Sequence, residues 1–400
     1  MLIEGSGVRR TSTRLADGRE LIYFDDSEPY VSGAATRRLD DPRPLTDRYS
    51  PVPDADGAEQ PFTGPELRHD VLTGDWIPMA SHRMNRTFLP PKDANPLAPA
   101  KPGAAYSDGE IPAEDYDVVV FENRFPSLMT VPGASQEPWH ADGEDVFEAR
   151  PATGRCEVIC FSPDPDASLK DVSPRRMRTI VEAWADRTRE LGALPEVEQV
   201  YVFENRGKEI GVTLHHPHGQ IYAFSYLTPR TREMLARAKA HRERTGRLLG
   251  RDVLDAELRA GTRVVLETEH WVAYVPFAAR WPVEVHLAPR RDVPDLPALT
   301  GEERDDLASA YLEILRRLDL FFADDDYVAA REVTLPYIAA WHQAPVREGR
   351  EDLRLHLQVF SVLRAPGRLK YLAGVESGMA SWISDTTPER IAARLQGLAR

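Results

Sequence analysis

Residues 214–222 read LHHPHGQIY, and three of the chain's 11 histidines fall within four of these positions. In an extended strand side chains alternate, so His216, His218 and Gln220 project from one face and Pro217 and Gly219 from the other. Proline cannot donate to a ladder and favours an edge or a strand start, while glycine clears space where a backbone or a ligand comes close. A lone strand histidine reads as a packed, hydrogen-bonded core residue. Three beside Pro and Gly read as a functional site at the mouth of a sheet. The neutral imidazole is well populated near pH 7, its reference pKa being about 6.5, and can attack an electrophile directly. Gln220 can donate to an oxygen as charge builds on it, but it cannot act as an acid.

Working outward, YDVVVFEN, CEVICFS, EQVYVFEN and GQIYAFS are rich in β-branched and aromatic residues and end in turn formers, which predicts strands. Between the second and third lies a helix, with Ser173 as N-cap, Pro174 at its first position, and Met177, Ile180, Val181 and Trp184 as an apolar stripe. The order recurs. TRVVLETE, HWVAYVPF and VEVHLAPR precede a helix that opens with a capping box from Thr300 to Glu303 and carries Leu307, Tyr311, Ile314 and Leu318, and YIAAWHQAP and LRLHLQVFSV follow it. Short links rather than helical crossovers predict an α+β fold with a mainly antiparallel sheet, built from two similar halves at about 66–228 and 229–400. Residues 1–65, rich in Pro, Asp, Gly and Arg, read as an extended arm apart from the short strand candidate ELIYFDD. The Pro-rich run FLPPKDANPLAPAKPGAA offers nothing to hold a helix.

The chain has 400 residues, a formal net charge of −14 and 28% charged residues, a field that repels a phosphate backbone and makes nucleic acid a poor partner. No window approaches the roughly 18 apolar residues of a membrane span, and the first residues hold no apolar signal core, which predicts a cytoplasmic protein. Cys156 and Cys160 share one face of a strand and read as buried free thiols of a reducing compartment.

The segment VFENRGKEIGVTLHHPHGQIYAF resembles the active-site segment of galactose-1-phosphate uridylyltransferases, a branch of the histidine-triad superfamily whose signature is His-Pro-His-Gly-Gln. The likeness extends to TSTRLADGRELIYFDD, LTGDWIPMASHRMNRTFLPP, EIPAEDYDVVVFENRFPSL, YIAAWHQAP and RAPGRLKYLAGVESGM, and so covers most of the chain. It implies two tandem histidine-triad-like halves and a ping-pong exchange of UMP between a UDP-hexose and a hexose 1-phosphate through nucleotidyl-His218, with Gln220 as phosphoryl donor. Carried over position by position, it implies phosphate contacts from Arg83, Arg86, Asn205, Gly211 and Thr213, nucleoside contacts from Phe121 and Asn123, and hexose-phosphate contacts from Lys370, Tyr371 and Glu376. It also implies a homodimer. Other substrates compatible with the motif are an unusual sugar 1-phosphate, or the phosphorolytic and hydrolytic reactions of the superfamily, whose hydrolytic branch usually carries a third histidine where this chain has Gln220. A paralogue that binds nucleotide without turnover is a further alternative.

Two departures concern metals. The family's zinc ligands fall on Asn95, Ala98, Pro165 and His216, of which only the last is a zinc donor, and one imidazole cannot hold an ion that takes four nitrogen or sulfur ligands. At the family's second, iron-binding site His342 and His356 persist, but Arg354 occupies a histidine position and Glu233 is the nearest candidate for the glutamate. The expectation is therefore an enzyme without a metal cofactor, with a charge-paired network at the second site.

Overall fold

The computed structural model describes residues 1–53, 59–60, 64–85, 95–100, 109–214, 216–323 and 334–399. Among them, twelve strands form one antiparallel sheet: β1 (Leu2–Ile3), β2 (Val8–Arg14), β3 (Glu20–Asp25), β4 (Val118–Glu122), β5 (Gly154–Cys160), β6 (Gln199–Arg206), β7 (His218–Phe224), β8 (Val264–Glu267), β9 (Trp271–Tyr274), β10 (Val283–Pro289), β11 (Tyr337–His342) and β12 (His356–Ser361). Their order across the sheet is β1-β2-β3-β4-β5-β7-β6-β11-β12-β10-β9-β8. The run β4-β5-β7-β6 is met at the β6–β11 seam by its mirror order, β11-β12-β10-β9. The duplication legible in the sequence is thus a pair of halves sharing one continuous sheet.

Cross-strand partners share a face. One face presents Val120, Ile159, Val202, Trp341, Leu357 and Leu287, all buried. Against it lie the helices α1 (Pro174–Gly192) and α4 (Gly301–Asp319). Both begin as their sequences require: the Ser173 side chain accepts from the Arg176 amide, and Thr300 and Glu303 form a reciprocal capping box. Trp184 of α1 sits 6.1 Å from Trp341 and 6.3 Å from Tyr311 of α4, so one aromatic cluster joins both halves to the sheet. Arg187 of α1 grips Glu157 of β5 through two hydrogen bonds of 2.8 and 2.9 Å, both side chains being buried.

The opposite face carries the row Phe121, Val158, Gln220, Phe203, Ala340, Gln358 and His286. Part of it is covered by a second, four-stranded sheet made from Glu66–Asp70, Asp75–Met79, Trp139–His140 and Glu148–Pro151. Leu67 and Trp76 from that sheet pack with Cys156 and Tyr222. Both cysteines are free and buried.

Two expectations change. The first 25 residues are not an arm but three strands of the main sheet, in which Leu21, Ile22, Tyr23 and Phe24 are buried on both faces. The polar run VRRTSTR of β2 hid this, because its Arg10 is satisfied by Asp186 of α1 at 3.0 Å rather than by water. Residues after 228 form two further helices, α2 (Pro229–Thr245) and α3 (Leu249–Ala260). Helix α2 buries only Thr231, Leu235 and Ala238, too narrow a stripe to stand out in the sequence. Of the Pro-rich run, only 95–100 lie among the described residues.

Candidate active site

Strand β7 begins at His218, and its start is pinned by the Phe161 amide donating to the Pro217 carbonyl at 3.1 Å. Gly219 is required by packing: a Cβ there would lie 2.9 Å from both the Phe161 ring and the Phe203 carbonyl oxygen. The room that glycine vacates is filled by protein, so the helix-side core sets the position of the motif. His218 and Gln220 project from the other face, as alternation predicts.

The His218 Nδ1–H donates to the His216 carbonyl at 2.7 Å, which leaves the Nε2 lone pair without a hydrogen-bond partner among the described residues. Burial pushes this imidazole below its ordinary pKa, so it is neutral near pH 7. Tyr222 donates its hydroxyl to Gln220 Oε1 at 3.2 Å. That bond occupies the amide oxygen and leaves the Gln220 NH2 group as a donor.

His216 is buried, with both ring nitrogens engaged. Asn95 Nδ2 lies 3.0 Å from Nδ1, while Tyr116 Oη at 2.6 Å and the Ser162 carbonyl at 2.8 Å face Nε2. Burial lowers its pKa to about 4. A cavity of about 290 Å³ opens beside the motif, lined in part by Lys170, Glu204, Asn205, Arg206, Lys208 and His218. Arg206 is held by two bonds to Asp319, 2.7 and 2.8 Å. Lys170 pairs with Asp171 at 2.5 Å. Glu204 is buried, and burial raises its pKa to about 7 despite the Tyr337 hydroxyl, which donates to it at 2.9 Å, and the nearby Arg206. The basic groups suit a phosphate-bearing ligand. Sequence reasoning missed Lys170, Glu204, Arg206, Lys208 and Tyr116. For Lys208 and the residues next to Asn205, adjacency to the motif was a usable signal; for Tyr116, 100 positions away, there was none.

The other expected residues are dispersed. Asn205 lines the cavity. Gly211 sits in the left-handed region at φ 82°, ending a 3-10 turn over Lys208–Ile210, and Thr213 follows it half-buried. Arg83 donates to the Phe125 carbonyl at 2.8 Å, and Arg86 lies outside the described residues. Phe121 is core, packed with Tyr23 and Tyr116. The Asn123 Oδ1 is spent on the Phe125 amide at 2.8 Å. Lys370 and Glu376 are buried and pair at 2.7 Å, Tyr371 is 77% exposed, and none of the three lines the cavity. Ala98 and Pro165 are half-buried and offer no donor side chain.

The second histidine cluster differs from expectation. Arg354 turns away from it, donating to the carbonyls of Pro289 and Arg291 and pairing with Asp292. Glu233 is exposed and bonded to Arg237. The groups that do assemble are His342 and His356, stacked at 4.8 Å, with His286 5.1 Å from His356. Gln358 joins them by accepting at 3.1 Å from His342 Nε2 and donating to Glu284 at 2.6 Å. Among the described residues no three His, Cys, Asp or Glu side chains converge as metal ligands would.

The family model for the N-terminal domain of galactose-1-phosphate uridyl transferase matches residues 58–228, and that for the C-terminal domain matches 233–400. This chain belongs to that family. Galactose-1-phosphate uridylyltransferase family membership is supported along nearly the whole length: the protein of that name from Streptomyces lividans is 48% identical over 357 residues, covering 88% of this chain and 86% of its own. The one from Thermotoga maritima is 34% identical, covering 83% of this chain and 98% of its own. Among solved structures, that of a uridylyltransferase is 33% identical with a TM-score of 0.71, covering 83% of this chain and 98% of the other. As a member of this family the chain is an enzyme of the transferase class. No helix among the described residues is long and apolar enough to cross a membrane.

Proposed function

We propose that this enzyme exchanges UMP between a UDP-hexose and a hexose 1-phosphate through a covalent nucleotidyl-His218. One observation carries the reading: His218 Nδ1 is tied to the His216 carbonyl, so its Nε2 lone pair is the free nucleophile. In the first half-reaction Nε2 bonds to the α-phosphorus and the bond to the bridging oxygen breaks. The electron pair leaves with the hexose 1-phosphate, while Nδ1 keeps its proton against the carbonyl. In the second, a phosphate oxygen of the incoming hexose 1-phosphate attacks the same phosphorus, and Nε2 departs with its lone pair restored. Gln220, its amide oriented by Tyr222, donates to the phosphoryl oxygens as charge gathers there. Lys170 and Lys208 at the cavity supply positive charge for the leaving phosphate.

The enzyme works as a cytosolic homodimer in this reading. Supporting that assembly, Tyr371, Leu372, Val375, Met379 and Ile383 place five exposed large apolar side chains within 13 residues of sequence. The test is incubation with UDP-glucose labelled at the α-phosphate. An acid-labile, base-stable adduct is expected on the unaltered chain and none on His218→Asn, with nucleotide still bound. An adduct on His218→Asn, or none on the unaltered chain with any UDP-hexose, would refute the route.

A further inference from the structure

The zinc positions implied by the family resemblance do not fit a zinc ion, because Asn95, Ala98 and Pro165 provide neither thiolate nor imidazole. His216 is not left idle by this. Asn95 Oδ1 accepts from the Leu97 amide at 3.0 Å, which fixes the sense of the Asn95 side chain. Its NH2 group then faces His216 Nδ1 at 3.0 Å, so Nδ1 must be the acceptor and the ring proton must sit on Nε2. There the Ser162 carbonyl and the Tyr116 hydroxyl take it up, and Tyr116 in turn donates to the Ser162 or Leu97 carbonyl, at 2.8 and 3.1 Å. His216 and Tyr116 are each 2% exposed, so water does not compete for these bonds. The same residue, His216, offers the carbonyl that orients His218.

We propose that Asn95 and Tyr116 are positioning residues that replace a metal: by fixing His216 in one tautomer and one orientation, they hold the carbonyl against which His218 is aimed. This rests on the covalent reading above. The closed loop Asn95–His216–Tyr116–Ser162 ties three distant chain segments to the start of β7. A ligated ion would cross-link the segments of Asn95 and Ser162 to His216 with ligand bonds; here hydrogen bonds in a dry site do so, with the Tyr116 segment added. Losing Asn95 leaves Nδ1 without its donor, and losing the Tyr116 hydroxyl leaves the Ser162 carbonyl alone at Nε2, so the ring is held less firmly and the error passes through one residue to the nucleophile.

The variants Asn95→Leu and Tyr116→Phe, in the full chain, test this by single-turnover formation of the labelled adduct. The rate constant at saturating UDP-glucose should fall by roughly 10- to 100-fold, with the half-saturating concentration and the melting temperature close to those of the unaltered chain. Tyr116→Phe keeps the packed ring and decides the matter alone if Asn95→Leu does not fold. Unaltered rates in the folded variants would overturn the proposal, as would one equivalent of zinc in protein purified without added metal. Absence of any adduct on the unaltered chain would strike down the covalent reading, and this proposal with it.

Discussion

Replacing Glu204 by Gln should stabilise the enzyme, and by an amount that grows with pH. The carboxyl lies in β6 facing the helices, opposite Gly219 and Ala339, where burial raises its pKa to about 7. In the unfolded chain it titrates near 4.5. Between those values the folded state binds more protons than the unfolded one, so this residue's contribution to stability falls as pH rises through the window. The linkage gives a penalty of about 1 kcal/mol at pH 5 and about 3 kcal/mol at pH 8. Glutamine keeps the oxygen that accepts from Tyr337 and removes the titration. The advantage of the variant should therefore widen by roughly 2 kcal/mol between pH 5 and pH 8, which at roughly 0.8 kcal/mol per kelvin for a chain of this size is a melting-point difference of about 3 °C. Thermal melts of both proteins at half-unit steps of pH measure it. A difference that stays flat with pH, or a variant less stable at pH 8, would show that the carboxyl is ionised and held by Arg206, and the burial argument would be wrong.

Three other outcomes follow from the packing. Gly219→Ala, whose methyl group would sit 2.9 Å from Phe161 and the Phe203 carbonyl, should cost about 1–3 kcal/mol and slow adduct formation as β7 shifts; wild-type rate and melting point together would refute the fit. Arg187→Met leaves the buried Glu157 with Arg155, at 3.3 Å, as its remaining cation and should cost about 2–3 kcal/mol by urea unfolding, with most of the loss recovered in Arg187→Met/Glu157→Gln; an equally unstable double variant would mean that the pair matters for more than its charge balance. Tyr371→Glu with Met379→Glu should shift the assembly towards monomer in light scattering, and an unchanged mass would remove that surface from the interface.

Much of this was legible because it is periodic. Alternation placed His216, His218 and Gln220 on one face of β7, and the stripe from Met177 to Trp184 gave a helix whose burial the structure bears out. Motif order gave the two halves. Polar segments hid the rest. In β2 Arg10 is satisfied by Asp186 from α1, and Arg9 and Arg14 by the carbonyls of Val31 and Gly18, so composition suggested solvent where there is sheet. Arg354 looked like an intruder among histidines, yet it serves backbone carbonyls while Gln358 closes the cluster, a choice made by tertiary packing that spacing alone does not encode. The contact between Tyr116 and His216 spans 100 positions and carries no local pattern.

The seam between β6 and β11 is where the first half ends and the second begins, and it is paired along five residues from Val202 to Arg206. Neither half can therefore be liberated as a self-sufficient fragment. Ending the chain near residue 228 would strip the neighbour from β6 and bare its backbone edge, beside the strand that carries His218, ready to recruit any other extended backbone it met. Duplication here has yielded two copies that are no longer separable, each serving as the other's boundary.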